Sequence, residues 1–215
     1  MEYEKTIKDA ERLARILIQK KARKNVGIYY FMWGFFSLYT ILVSTILNYL
    51  NVTNIIISSL PYFAVAIPLY YTFKLIKDIN WEYIVLKYRI NNYLEEAKKQ
   101  FNIKFTKYVI LPTLIVILVF LIIIPNITTN EIIALGSVYI FVGSVIYGLY
   151  LMLYSKHRLV GPRYYDLLAM ISFIFSGPAF AGLTSPVMSS LISMLIAIVW
   201  LYAGFRSILE VSEIE

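Results

Sequence analysis

Few residues in this chain have the chemistry of a catalyst. Its one histidine, His157, lies in the basic stretch 155–163 with no carboxylate beside it, and a lone imidazole makes no metal site. There is no cysteine, so no thiol nucleophile, disulfide or thiolate ligand set exists. No His-Glu-x-x-His pair, phosphate-cradling glycine loop or Ser–His pairing falls in the apolar stretches. The sequence therefore predicts no enzyme, no cofactor and no metal. Among the acids, Asp166 is the best candidate for a polar contact. It follows Arg163 by three residues, a spacing that lets the two pair along one helix face. Such a pair could serve as a gate or ion contact. The structural reading, a first-turn acid with its own counter-charge, outweighs that at so shallow a depth. Glu131 reads the same way, as an acid at the positive end of a helix.

Neutral residues offer a second set of candidates. Pro61 and Pro68 are seven apart, hence on one helix face, and each frees a backbone carbonyl that a neighbour or water must satisfy. Gly177-Pro178 predicts a break in the stretch 164–183, either a kink or a partly re-entrant run. Tyr139, Tyr147, Tyr150 and Tyr154 fall on one side of a helix, where buried hydroxyls would need partners or would line a wet path. Ser185, Ser189, Ser193 and Ala197 recur every four residues, a small-residue ridge of the kind that lets helices approach closely in lipid. Ser172 with Ser176, and Ser144 with Gly148, repeat the pattern in shorter form.

These side chains must be positioned by elements of a particular kind. The chain is 60% hydrophobic and 15% charged, with a mean hydropathy of +0.69. A soluble domain carries roughly 25% charged residues. The apolar residues fall in six long blocks, 26–48, 54–73, 108–124, 131–154, 164–183 and 185–205, each near the length that a bilayer core demands. All 20 Lys and Arg residues lie in 5–24, 74–107, 156–163 and at 206. Basic islands alternate with turns that hold no Lys or Arg, which predicts both termini in the cytoplasm of a cell-membrane protein. Nucleic acid would need the +7 charge on one continuous face, and the pattern argues against it. Asn51-Val-Thr53 and Asn126-Ile-Thr128 are glycosylation-type sequons in predicted outside turns. The near absence of glutamine beyond Gln19 and Gln100 is a thermophile-like feature.

Two cytoplasmic segments read as amphipathic helices. In 2–24, Tyr3, Ile7, Ala10, Ala14 and Leu17 recur at helical spacing. In 81–101, Tyr83, Leu86, Ile90, Tyr93, Ala97 and Phe101 do the same, with Asn80 as a candidate N-cap. The narrow stripes suit pairing of the two helices, or docking of a partner helix through Tyr83, Leu86, Ile90, Tyr93 and Ala97.

The expected fold is thus an all-α six-span membrane bundle of three hairpins. Its units are 1–25 (cytoplasmic helix), 26–73 (first hairpin), 74–107 (second cytoplasmic helix) and 108–154 (second hairpin). A basic loop 155–163, a third hairpin 164–205 and a tail 206–215 complete it. The expected partners are the lipid bilayer and either a cytoplasmic protein or further copies of the chain, with no nucleic acid. A non-catalytic membrane subunit or scaffold is the leading function expected. A permease or binding component for a neutral or lipophilic solute is the alternative.

Overall fold

The computed structural model describes residues 2–51, 64, 66–88, 94–154, 161–181 and 183–213. Among these the regular secondary structure is all helical, joined by short turns. The helices are α1 (Glu2–Tyr49), α2 (Ala66–Tyr88), α3 (Leu94–Phe105), α4 (Leu111–Val116) and α5 (Ile124–Ile127). They continue with α6 (Glu131–Tyr154), α7 (Tyr164–Ile174), α8 (Gly177–Phe180) and α9 (Pro186–Glu210). Three stretches are long and apolar enough to cross a membrane: Asp9–Leu47, Glu96–Phe120 and Val187–Glu210. Glu131–Tyr147 is a shorter apolar run in α6.

The expected cytoplasmic helix over 1–25 and the first expected span are one element. α1 has 48 residues and no interruption, so it extends about 72 Å at the standard rise. No glycine pair or proline stands at the junction near residue 25 to break it. From Ala22 onward it is buried in the bundle through Val26, Tyr29 and Tyr30.

The expected helix over 81–101 is instead two helices. Trp81 and Phe101 stack with ring centroids 5.6 Å apart, whereas twenty residues of straight helix would separate them by about 30 Å. The chain therefore turns back between α2 and α3. Asn80 is no cap: it lies inside α2, and its side-chain amide donates to the Ile76 carbonyl at 3.0 Å. The docking stripe is accordingly split. Tyr83 and Leu86 belong to α2, Ala97 to α3, and Ile90 and Tyr93 lie outside the described residues.

From Leu94 to Ile127 the chain stays helical but widens twice into π-helical turns, at Thr106–Ile110 and Ile117–Ile123. Each precedes a proline. Pro112 and Pro125 lack the N–H that would bond four residues back, to the carbonyls of Tyr108 and Leu121 respectively. Both of these carbonyls fall within the widened turns. Bonding shifts there to the fifth residue back, as Leu111 N–H donates to the Thr106 carbonyl and Ile124 N–H to that of Val119.

The core forms where α1, α7 and α9 meet. Trp200 centres it, packed against Tyr29, Tyr30 and Phe173 at centroid distances of 5.9, 5.8 and 5.5 Å. Its indole N–H reaches the Ala169 carbonyl at 3.0 Å and the Ser172 hydroxyl at 3.2 Å. α1 and α9 run antiparallel and close. A methyl added to Gly204 would lie 3.0 Å from the Gly27 carbonyl oxygen, and one added to Gly27 would lie 2.8 Å from Ile208. Glycine at both positions lets the two backbones come this close. α2 packs antiparallel on α1 through a Trp33–Thr72 hydrogen bond of 3.0 Å and a Lys21–Glu82 ion pair.

Candidate functional site

The most concentrated chemistry lies where Arg23 of α1 enters the bundle. Its guanidinium is fully buried, 0% exposed, as is the carboxylate of Asp166 at the start of α7. Arg23 Nη1 donates to Asp166 Oδ2 at 2.9 Å, and Nε donates to Glu210 Oε2 at 2.9 Å. The remaining nitrogen, Nη2, bonds the Tyr165 hydroxyl, and the guanidinium carbon sits 4.6 Å from that ring's centroid. Three helices thus converge on one cation: α1 brings Arg23, α7 brings Tyr165 and Asp166, and α9 ends at Glu210.

Each carboxylate oxygen in this knot is occupied. Tyr30 donates its hydroxyl to Asp166 Oδ1 at 3.0 Å, and the Arg163 backbone N–H donates to Oδ2 at 2.8 Å. Arg163 Nε reaches Glu210 Oε1 at 2.7 Å, while Tyr165 gives its hydroxyl proton to Glu210 Oε2. Ser207 closes the knot from α9, donating to the Arg23 carbonyl at 3.0 Å. Two arginines face two carboxylates, so the formal charge is balanced. Buried charges persist at such cost only when paired and hydrogen-bonded, and these are. Every carboxylate oxygen has at least one donor, an arrangement suited to fastening the three helices.

One expectation needs correction. Asp166 does not pair with the Arg163 guanidinium: it caps α7 through the Arg163 backbone and takes its counter-charge from Arg23, 143 residues away. Arg23 and Asp166 both lie buried inside the bundle. The missed partners carried a signal. Arg23 shares a helix face with Val26 and Tyr30, so a cation stands on the stripe that the apolar residues continue inward. Glu210 likewise follows the buried Ala203 and Ser207 at spacings of four and three.

The other expected site residues do not gather. Tyr139 lies against Gly177, where an added methyl would come within 2.6 Å of its ring. Tyr147 and Tyr150 stack on each other at 6.4 Å and are exposed on the surface of the helices. Pro68 is buried in the first turn of α2, and Pro61 lies outside the described residues, so no shared proline face is described. The Gly177-Pro178 break is real: α7 ends at Ile174, two residues turn, and α8 adds a single turn with Pro178 at its start. Ser185 caps α9, accepting the Met188 N–H at 3.3 Å, and Ser189 pairs with Thr184 at 2.6 Å. Of that ridge only Ala197 is fully buried, beside Gly34 of α1, while Ser193 is half-buried. The small-residue seam that matters is the one formed by Gly27, Gly34, Ala197 and Gly204. His157 lies outside the described residues. Among the described residues no three His, Asp or Glu side chains converge as metal ligands.

The fold and the knot together define an all-helical protein with helices fit to cross a membrane, tied by a buried ion cluster. Compared with protein families, with curated proteins and with solved structures, the chain finds no match in any of the three.

Proposed function

We propose that this chain is a six-span cell-membrane protein with both termini in the cytoplasm, acting as a non-catalytic subunit or scaffold. One observation carries the reading: α1 continues for about five turns beyond the bundle, and its apolar seam there is uncovered. Leu13 and Leu17 are 62% and 66% exposed, with Ala10 exposed one turn before them. Lys24 continues the same face toward the bundle and is also exposed, while Arg12 and Arg15 are exposed on the other side of the helix. An exposed apolar stripe that ends on a cation fits an amphipathic partner helix laid along it. The antiparallel pairing of α1 with α2, α1 with α9, and α7 with α9 supports the six-span alternation. The positive-inside pattern supports its orientation.

The test is purification of the full chain from its native membranes in mild detergent, with mass spectrometry of whatever stays bound. A stoichiometric protein partner, lost in the Leu13→Glu/Leu17→Glu variant, supports the scaffold. Both positions are exposed, so the bundle itself should survive the change. An isolated chain, or a homo-oligomer holding a small neutral molecule, would overturn this reading and favour a permease.

A further inference from the structure

A second polar group lies on the outer face of the bundle, apart from the buried knot. Tyr164 at the start of α7 and Tyr202 on α9 share a hydroxyl–hydroxyl hydrogen bond of 2.7 Å, and both rings are exposed. Arg206, one turn beyond Tyr202, stands beside both hydroxyls, nearer in influence to Tyr164 than to Glu213 of the tail. Its Nε is a buried side-chain nitrogen with no hydrogen-bond partner among the described residues. Toward the middle of the helices the same face turns apolar, with Leu168, Ile171, Leu195 and Ile198 all exposed.

Depth settles what this face meets. Arg206 lies 20 residues beyond Pro186 at the head of α9, about 30 Å along the axis, which is the thickness of a hydrocarbon core. If the head of α9 stands at one surface, Arg206 stands at the headgroups of the other. We infer that Arg206, Tyr164 and Tyr202 form a binding site for the phosphate of an anionic phospholipid. The guanidinium supplies charge and directed N–H donors, the hydroxyl that does not donate within the Tyr164–Tyr202 pair supplies one more, and the acyl chains run along the apolar face. The inference rests on the membrane reading above and adds a specific ligand class to it.

The experiment reconstitutes the full chain in phosphatidylcholine nanodiscs containing phosphatidylglycerol, then counts retained lipids by native mass spectrometry. Wild type should keep phosphatidylglycerol selectively. Arg206→Gln should lower that retention about fivefold, the factor expected for one cation at an anionic surface, and Arg206→Lys should restore part of it. Tyr164→Phe/Tyr202→Phe, which keeps the rings, should lower it more mildly and stands in if Arg206→Gln does not fold. Excess inorganic phosphate should leave the bound lipid in place. Displacement of the lipid by phosphate would instead assign the site to a free anion and overturn the lipid claim. Equal retention in wild type, Arg206→Gln and the tyrosine variant would mean an arginine that merely reaches the interface, and would overturn it too. Release of the chain from native membranes by alkaline carbonate would overturn the membrane reading itself, a result distinct from either.

Discussion

At the scale of single residues, Arg23 and Asp166 decide the stability of the inner bundle. Removing one member of a buried pair leaves the other desolvated and unpaired, which typically costs about 3–5 kcal/mol. Arg23→Met should therefore destabilise the protein by about 3 kcal/mol in a denaturant titration, because Asp166 keeps only Tyr30 and the Arg163 N–H. Adding Asp166→Leu to Arg23→Met should recover a good part of that loss, since it removes the orphaned charge. A double variant as unstable as the sum of both singles would contradict the pairing. Tyr30→Phe isolates one hydrogen bond to the same carboxylate and should cost about 1.5 kcal/mol, the lower end for a bond to a charged group. A Tyr30→Phe protein as stable as wild type in that titration would show that the bond contributes nothing.

At the scale of elements, the closeness of α1 and α9 depends on missing side chains as well as on those that are present. A methyl at Gly204 meets backbone, the Gly27 carbonyl, which cannot swing aside as a flexible side chain can. Gly204→Ala should cost about 1–3 kcal/mol, the usual range for overpacking. Gly143→Ala is the internal control. It sits within α6 with nothing inside 4 Å of the added methyl, so the helix propensity of alanine should leave stability unchanged or raise it by about 0.5–1 kcal/mol. Equal losses at both positions in parallel thermal melts would mean that the helices do not approach as closely as described. The same contrast explains what was legible in the sequence. Apolar length placed α6 at 131–154 and the start of α9, and Gly177-Pro178 marked the break after α7. Periodicity could not tell one continuous α1 from two helices, because polar and apolar halves share one helical repeat with no breaker between them. It also drew one helix across 81–101, because the stripe keeps its spacing on both sides of the reversal that the Trp81–Phe101 contact reveals. The ion knot was half legible: Asp166 stood out as a lone acid, whereas Arg23 stands in a run with Lys20, Lys21 and Lys24, and Glu210 lies past the last apolar block at 205, so only their place on the buried stripe marked them.

At the scale of the whole molecule, the antiparallel packing constrains how the chain can sit in a bilayer. α1 and α7 both run antiparallel to α9, so the N-terminal extension of α1, the start of α7 and the end of α9 share one side. That places Arg23, Asp166, Arg163, Glu210 and Arg206 together at a single end, which the proposed topology puts on the cytoplasmic side because Lys and Arg are dense there. Because the native chain has no cysteine, single introduced cysteines report topology without background. Leu13→Cys and Glu213→Cys are exposed at the basic end, and Thr129→Cys is exposed in the turn between α5 and α6. A membrane-impermeant maleimide added to intact cells should label Thr129→Cys alone, and added to inverted vesicles should label the other two. Reversed labelling would keep the bundle but turn it over. Labelling of Leu13→Cys and Glu213→Cys from opposite sides would require an odd number of crossings. That outcome would contradict the shared end, since the ion knot cannot form with Arg23 and Glu210 on opposite faces of the membrane.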